Sequence, residues 1–207
     1  MTRRVAVYVD GFNLYYGLRS KRWRRYYWLD LRRLSEQFLR TGQRLVLVRY
    51  FTAGIFAEPH DPDKPLRQNT YLEALETLPD LHIHKGYFVA KQQHCAACGT
   101  IWQIYEEKTT DVNIAVELLG DAQDDVFDTA IVVSGDGDLA GPIREVRRRY
   151  PQKRIVVAFP PGRHSAGLRN AASAFFTIGR DALRDSQFPP QVTKADGYVL
   201  TRPQKWN

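Results

Sequence analysis

Two cysteines in 207 residues exclude a disulfide-rich scaffold. No apolar stretch approaches the roughly 20 residues needed to span a bilayer. No signal-peptide pattern follows Thr2-Arg3-Arg4, so a reducing cytoplasm is the expected setting and a membrane is not an expected partner. Internal repeats and long low-complexity linkers are also missing. The chain is short of acids: 30 Lys and Arg stand against 23 Asp and Glu, a net charge of +7. A surplus of that size suggests an anionic partner. What is present, 43% hydrophobic and 26% charged residues, fits a globular chain that buries its own core.

Short apolar runs alternate with amphipathic stretches. Val5–Val9, Leu45–Phe51, Leu81–Val89, Thr129–Val133 and Arg154–Phe159 read as strands buried on both faces, with Ala174–Ile178 as a weaker sixth. Helical spacing marks Leu29–Arg40, Leu66–Leu78, Asp111–Leu119 and Leu139–Tyr150. This alternation predicts a doubly wound α/β fold with a mostly parallel central sheet. Two stretches break it. Lys91–Tyr105 reads as an inserted hairpin or lobe, and residues 185–207 read as a C-terminal tail, packed on the surface or partly mobile, after a domain of residues 1–184. Trp206 and Tyr198 hint that some of the tail docks.

Parallel sheets bind ligands beyond the carboxyl ends of their strands, where strand order reverses. Acids stand there. Asp10 ends the first run, with Asn13 three residues on, and Asp136 and Asp138 follow the Ala130 run in Ser134-Gly135-Asp136-Gly137-Asp138. If those two strands are neighbours, the carboxylates converge and repel unless a cation joins them. Hard oxygen ligands favour Mg²⁺ or Mn²⁺ over zinc. Turn formation and helix capping are the competing roles of such residues. The third element, Glu106 to Leu119, is apolar nearly all round, so its helix should be deeply buried, with Asp111 in its first turn.

Val9-Asp10-Gly11-Phe12-Asn13, then Glu107-Lys108-x-x-Asp111-Val112-Asn113 with Ala115-Val116, then Ser134-Gly135-Asp136-Gly137-Asp138 occur in one order and spacing. Together they closely resemble the NYN domain family, a branch of the PIN-like nucleases, over roughly residues 3 to 180. The resemblance implies a Rossmann-like three-layer fold and a metal-dependent ribonuclease. Carried over, Asp10, Asp111, Asp136 and Asp138 would bind the metal, Asn13 would support them, and Glu107 is a further candidate. Leu139 stands where relatives more often carry an aromatic residue, a matter of packing. Ser134 lacks the nucleophile-elbow context of a serine hydrolase. A haloacid-dehalogenase-type phosphatase would need a second Asp two residues after Asp10, where Phe12 stands. The alternative of another class is an RNA- or protein-binding regulator that keeps the fold and turns over little.

Single-stranded RNA is the expected partner. Lys21-Arg22-Trp23-Arg24-Arg25-Tyr26-Tyr27-Trp28 interleaves basic and aromatic residues, so Arg22, Trp23, Arg24 and Arg25 are candidate substrate contacts. Equally, its aromatics pack inward while its arginines are solvated. Arg163, in a Pro-Gly loop, is a candidate phosphate contact, and Arg147-Arg148-Arg149 reads as a solvated helix end. Cys95-Ala96-Ala97-Cys98 has the spacing of half a zinc site. A hairpin would supply His82, His84 or His94, or a second chain would complete the site, or the pair is a remnant. A homo-oligomer is compatible with the second of these.

Overall fold

Val5 to Val9 holds only β-branched, aromatic and alanine side chains, which suit a pleated surface covered on both sides. The computed structural model describes residues 2–206, apart from the side chains of Glu106 and Glu107. It places this run in β1 (Arg3–Asp10), buried from Val5 onward. The chain continues through α1 (Gly11–Ser20), a 3-10 turn at Arg24–Tyr26, α2 (Leu31–Glu36), β2 (Gln43–Ala53), α3 (Lys64–Glu76), β3 (Leu81–His94), β4 (Ile101–Lys108) and α4 (Thr110–Gln123). Then come β5 (Thr129–Val133), α5 (Ala140–Arg149), β6 (Arg154–Phe159), α6 (Ala166–Ala171), β7 (Ala174–Thr177), α7 (Arg180–Asp185), β8 (Gln191–Thr193) and β9 (Val199–Thr201).

A seven-stranded sheet runs in the order β4-β3-β2-β1-β5-β6-β7, and every neighbouring pair is parallel except β3 with β4. The α/β fold is the one expected, with the Val5 strand beside the Ala130 strand: Val5 pairs with Thr129 and Val9 with Val133. From β1 the chain winds to β2 and β3 on one side, then returns to lay β5, β6 and β7 on the other. The carboxyl ends of β1 and β5 therefore form the switch point.

Alternation along β1 builds the layers. Val5, Val7 and Val9 pack with Leu14, Leu18, Leu31, Leu34, Leu72 and Leu75 on one face. Ala6 and Tyr8 pack with Ile114, Leu118, Ile143, Val146 and Leu168 on the other. The expectation of a deeply buried α4 is not met. Ile114, Leu118 and Ala122 face the sheet, while Val112 and Val116 are 61% and 60% exposed. A helix in an outer layer has one side covered, so apolar residues on its far side meet solvent.

Residues 91–105 are not a separate lobe. They are the outer part of the antiparallel β3–β4 ribbon, which pairs from Tyr87↔Lys108 to His94↔Ile101 and turns through the cysteines. The chain after residue 184 joins the core: Phe188, Val192 and Leu200 are buried in the layer that holds α1 and α3. Trp28 donates Nε1–H to the Pro189 carbonyl at 2.8 Å, and Trp206 packs edge-on against Tyr27 and Tyr71. Tyr198 stays 62% exposed.

Candidate active site at the strand ends

Asp10 is the last residue of β1 and the N-cap of α1. Its Oδ1 accepts the Asn13 backbone N–H at 3.0 Å. Its Oδ2 accepts Asn13 Nδ2 at 2.7 Å and the Ser134 hydroxyl at 2.8 Å. Only 2% of the residue is exposed. Burial raises the Asp10 carboxyl above the ordinary carboxylate range; the Asn13 and Ser134 donors oppose that rise, and the charge of Asp136 adds to it. The competing capping role is thus real, but a cap alone does not need burial beside a second acid.

Ser134 is fully buried after β5 and joins the two strand ends: it donates to Asp10 and accepts the Asp136 N–H at 3.0 Å. Asp136 Oδ1 in turn accepts the Asp138 N–H at 3.0 Å. Asn13 works both ways, donating to Asp10 and accepting the Gly135 N–H at 3.2 Å. Gly135 leaves room for Arg163, whose Cβ lies 2.7 Å from where a Cβ on Gly135 would stand. Arg163 is therefore at the rim of the acids, with its guanidinium 5.9 Å from the Tyr16 ring centroid. Asp138 is exposed and Asp136 half-buried.

Asp111 lies in the first turn of α4, after Thr109, which has φ +78° and gives the helix no side-chain cap. That left-handed backbone is unusual for a β-branched residue. Glu107, the further candidate, has its side chain outside the described residues. Among the described residues no three of His, Cys, Asp and Glu are drawn together into a ready metal cage. The donor chemistry still suits a hard cation: Ser134 holds the Asp10 carboxylate and the Asp136 backbone N–H through one hydroxyl, with Asp10 buried and Asp136 half-buried.

The basic and aromatic segment divides by residue. Arg22, Arg24 and Arg25 are exposed, while Tyr26 and Trp28 are buried. Trp23 is half-buried, edge-on to Tyr26 and 5.7 Å from the Arg180 guanidinium. The arginines are solvated and the aromatics packed, and the two descriptions hold together.

The cysteine pair sits at the ribbon tip. Cys98 Sγ is 3.1 Å from the Thr100 hydroxyl, which lowers the Cys98 thiol to about 7. His84 is engaged elsewhere. It stacks on Phe51 with ring centroids 4.8 Å apart, and its Nε2 accepts from Arg49 at 3.1 Å, since a guanidinium only donates. Sequence reasoning missed that network. Arg49 grips buried Asp121 through two bonds of 2.7 and 2.6 Å, reaches Glu117 at 2.9 Å, and Tyr8 donates to Asp121 at 2.6 Å. It clamps α4 to β1 and β2. The available signal was Glu117 and Asp121, four residues apart on one helix stripe.

Residues 4–179 match the family described as NYN domain. The chain belongs to the NYN domain family, a PIN-like nuclease family. Among curated relatives, 6-hydroxy-3-succinoylpyridine 3-monooxygenase HspA of Pseudomonas putida is 30% identical over 189 residues, covering 76% of this chain and 59% of its own. This chain thus spans little more than half of HspA. Low amplitude and bright protein LabA of Synechococcus elongatus is 24% identical, covering 93% of this chain and 94% of its own. The crystal structure of a protein of unknown function from Vibrio parahaemolyticus shares the fold, with a TM-score of 0.57 at 22% identity, covering 87% of this chain and 95% of that one.

Proposed function

We propose that this NYN protein is a metal-dependent ribonuclease that hydrolyses RNA phosphodiester bonds at the switch point between β1 and β5. The observation that carries the reading is Asp10: a buried carboxylate held by Asn13 and Ser134, in the field of Asp136. Asp10, Asp111, Asp136 and Asp138 would hold Mg²⁺ or Mn²⁺. When bound, such a cation neutralises phosphate charge and lowers the pKa of a coordinated water.

The chain's own residues do the rest. Asn13 and Ser134 fix the rotamer of Asp10, so its remaining lone pairs point one way. Ser134 ties the β5 loop to β1 and keeps Asp136 beside Asp10. Arg163, whose Cβ lies against Gly135 on the rim, would meet a phosphate. Arg22, Arg24 and Arg25 attract the backbone from outside, away from the acids that repel it. The alternative, an RNA- or protein-binding regulator, uses the same surfaces without the hydrolytic step.

The test is incubation of pooled single-stranded RNA and DNA with Mg²⁺, Mn²⁺ or EDTA, beside the Asp136→Asn variant. RNA cleavage with metal, and none in EDTA or the variant, is expected. Cleavage that persists in EDTA or in the variant would put the activity in another site. RNA retained but uncut under every condition would favour the regulator.

A further inference from the structure

A cavity of about 130 Å³ opens next to Asp10, on the α1 side of the sheet. Phe12, Tyr15, Tyr26, Tyr27, Tyr50 and Trp206 line it. It begins at Gly11, immediately after the acid: the Tyr50 hydroxyl lies 2.7 Å from where a Cβ on Gly11 would stand, so only glycine admits the ring there. Burial raises both Tyr27 and Tyr50 to about 12, so their phenols stay neutral.

This chamber opens into a second cleft of about 170 Å³, and Tyr15, Tyr27 and Trp206 line both. The cleft is cationic. Arg19, Arg24, Lys64, Arg67 and Lys205 face two acids, Glu58 and Asp61. The acids are engaged by Lys64, by Arg67 at 2.5 Å and by Lys205 at 2.9 Å. Arg19 and Arg24 are exposed and stand in no ion pair within 4 Å among the described residues, although the charge of Arg19 adds to that of Lys64 in lowering the Glu58 carboxyl. The C-terminal turn closes one side: Lys205 is tied to Asp61, and Arg202 donates to the Arg25 carbonyl at 2.7 Å.

An aromatic chamber joined to a cationic cleft is complementary to a planar ring that carries an anion. We propose that the two form one nucleotide subsite, in which an unpaired base of an RNA strand enters among Tyr15, Tyr27 and Trp206 and its phosphate lies against Arg19 and Arg24. The proposal deepens the RNA reading above and rests on it for the choice of a strand over a free nucleotide. The base would stand one wall away from Asp10, so the subsite anchors the strand and sets which bond reaches the acids. Duplex RNA hides its base faces and is refused.

Binding is measured by calorimetry on the whole chain in EDTA, so that no cleavage intervenes. The probes are a single-stranded RNA tetramer, uridine monophosphate, uridine and ribose phosphate. The tetramer binds saturably, and Trp206→Ala and the Arg19→Ala/Arg24→Ala pair each weaken it about tenfold or more. Uridine and ribose phosphate each bind more weakly than the monophosphate. Because Trp206 also packs on the core, saturation-transfer NMR on the unmodified chain gives a second readout, with transfer expected from protein aromatic protons to base protons. Tetramer affinity unchanged in both variants, or a monophosphate that binds where the tetramer does not, overturns the proposal. Variant-sensitive binding without cleavage in Mg²⁺ or Mn²⁺ would retire the hydrolytic reading and leave the subsite standing. Cleavage by a chain whose binding ignores both variants would do the reverse.

Discussion

Asp10 and Asp136 differ in what surrounds them, and that difference sets what each substitution does. Asp10 is buried and triply bonded, so its replacement disturbs the fold as well as the chemistry. Asp136 is half-buried and contributes one backbone cap. Asp136→Asn keeps that cap and removes a charge that raises Asp10. Its melting temperature in EDTA should equal or exceed that of the unmodified chain, while metal-dependent cleavage is lost; a large fall in melting temperature would show the carboxylate to be structural. Gly135→Ala makes the opposite prediction. Its methyl would overlap the Arg163 Cβ at 2.7 Å and push the Pro160–Ser165 loop away from the β5 loop. Overpacking of this kind costs about 1–3 kcal/mol, a fall of roughly 2–12 °C for a chain this size. Unchanged melting would mean the loop yields freely. The placement of Asp10 and Asp136 was legible because one apolar run ends at Asp10 and another ends three residues before Asp136. Asp121 was not, because its partner Arg49 is 72 residues away and nothing in either neighbourhood names the other.

At the scale of elements, the amino ends of β1 and β5 carry charge of a different kind. Arg4 binds Asp128 through its backbone N–H at 2.7 Å and its guanidinium at 2.8 Å, and also reaches Asp125, which Lys153 meets at 2.7 Å. The Arg4 guanidinium holds the Asp128 carboxyl down to about 2. A carboxylate whose folded pKa is depressed stabilises the fold above its unfolded pKa, about 3.9, and that stability fades as pH falls towards 2. Asp128→Asn should therefore melt lower than the unmodified chain at pH 7, with the gap closing between pH 4 and pH 2. A gap of constant size across that range would locate the effect in packing. These strands were the most legible elements: the apolar runs Thr129–Val133 and Arg154–Phe159 coincide with β5 and β6. Helix limits were less so. The Leu29–Arg40 periodicity yields only Leu31–Glu36, because Asp30 caps the start and the chain turns at Gln37. The face of α4 could not be told from composition, since valine serves a buried stripe and an exposed one alike.

On the hydrolytic reading, attraction and chemistry occupy different places across the molecule. Asp10 and Asp136 stand at the strand ends, while Arg22, Arg24 and Arg25 project from the segment after α1. Replacing those three arginines with alanine should weaken RNA binding and reduce the slope of log affinity against log salt by roughly 2. An unchanged slope would leave them as solvated charges with no phosphate beneath them. The mostly parallel sheet was readable from strand–helix alternation, and the adjacency of β1 and β5 from the need for acidic ends to meet. That part of the tail docks was readable from Trp206, but where it docks was not, because Trp206 packs on Tyr27 and Trp28 in the first third of the chain.

Strand order also carries a consequence for synthesis. β1 is made first, yet one of its edges belongs to β5, and Ser134 lies 124 residues after the Asp10 that it holds. At ordinary rates of translation that interval lasts on the order of ten seconds. Throughout it the growing chain displays a bare strand edge and an acid without its hydroxyl partner. On the hydrolytic reading, the nascent chain cannot cut RNA until β5 and the Ser134 loop have emerged.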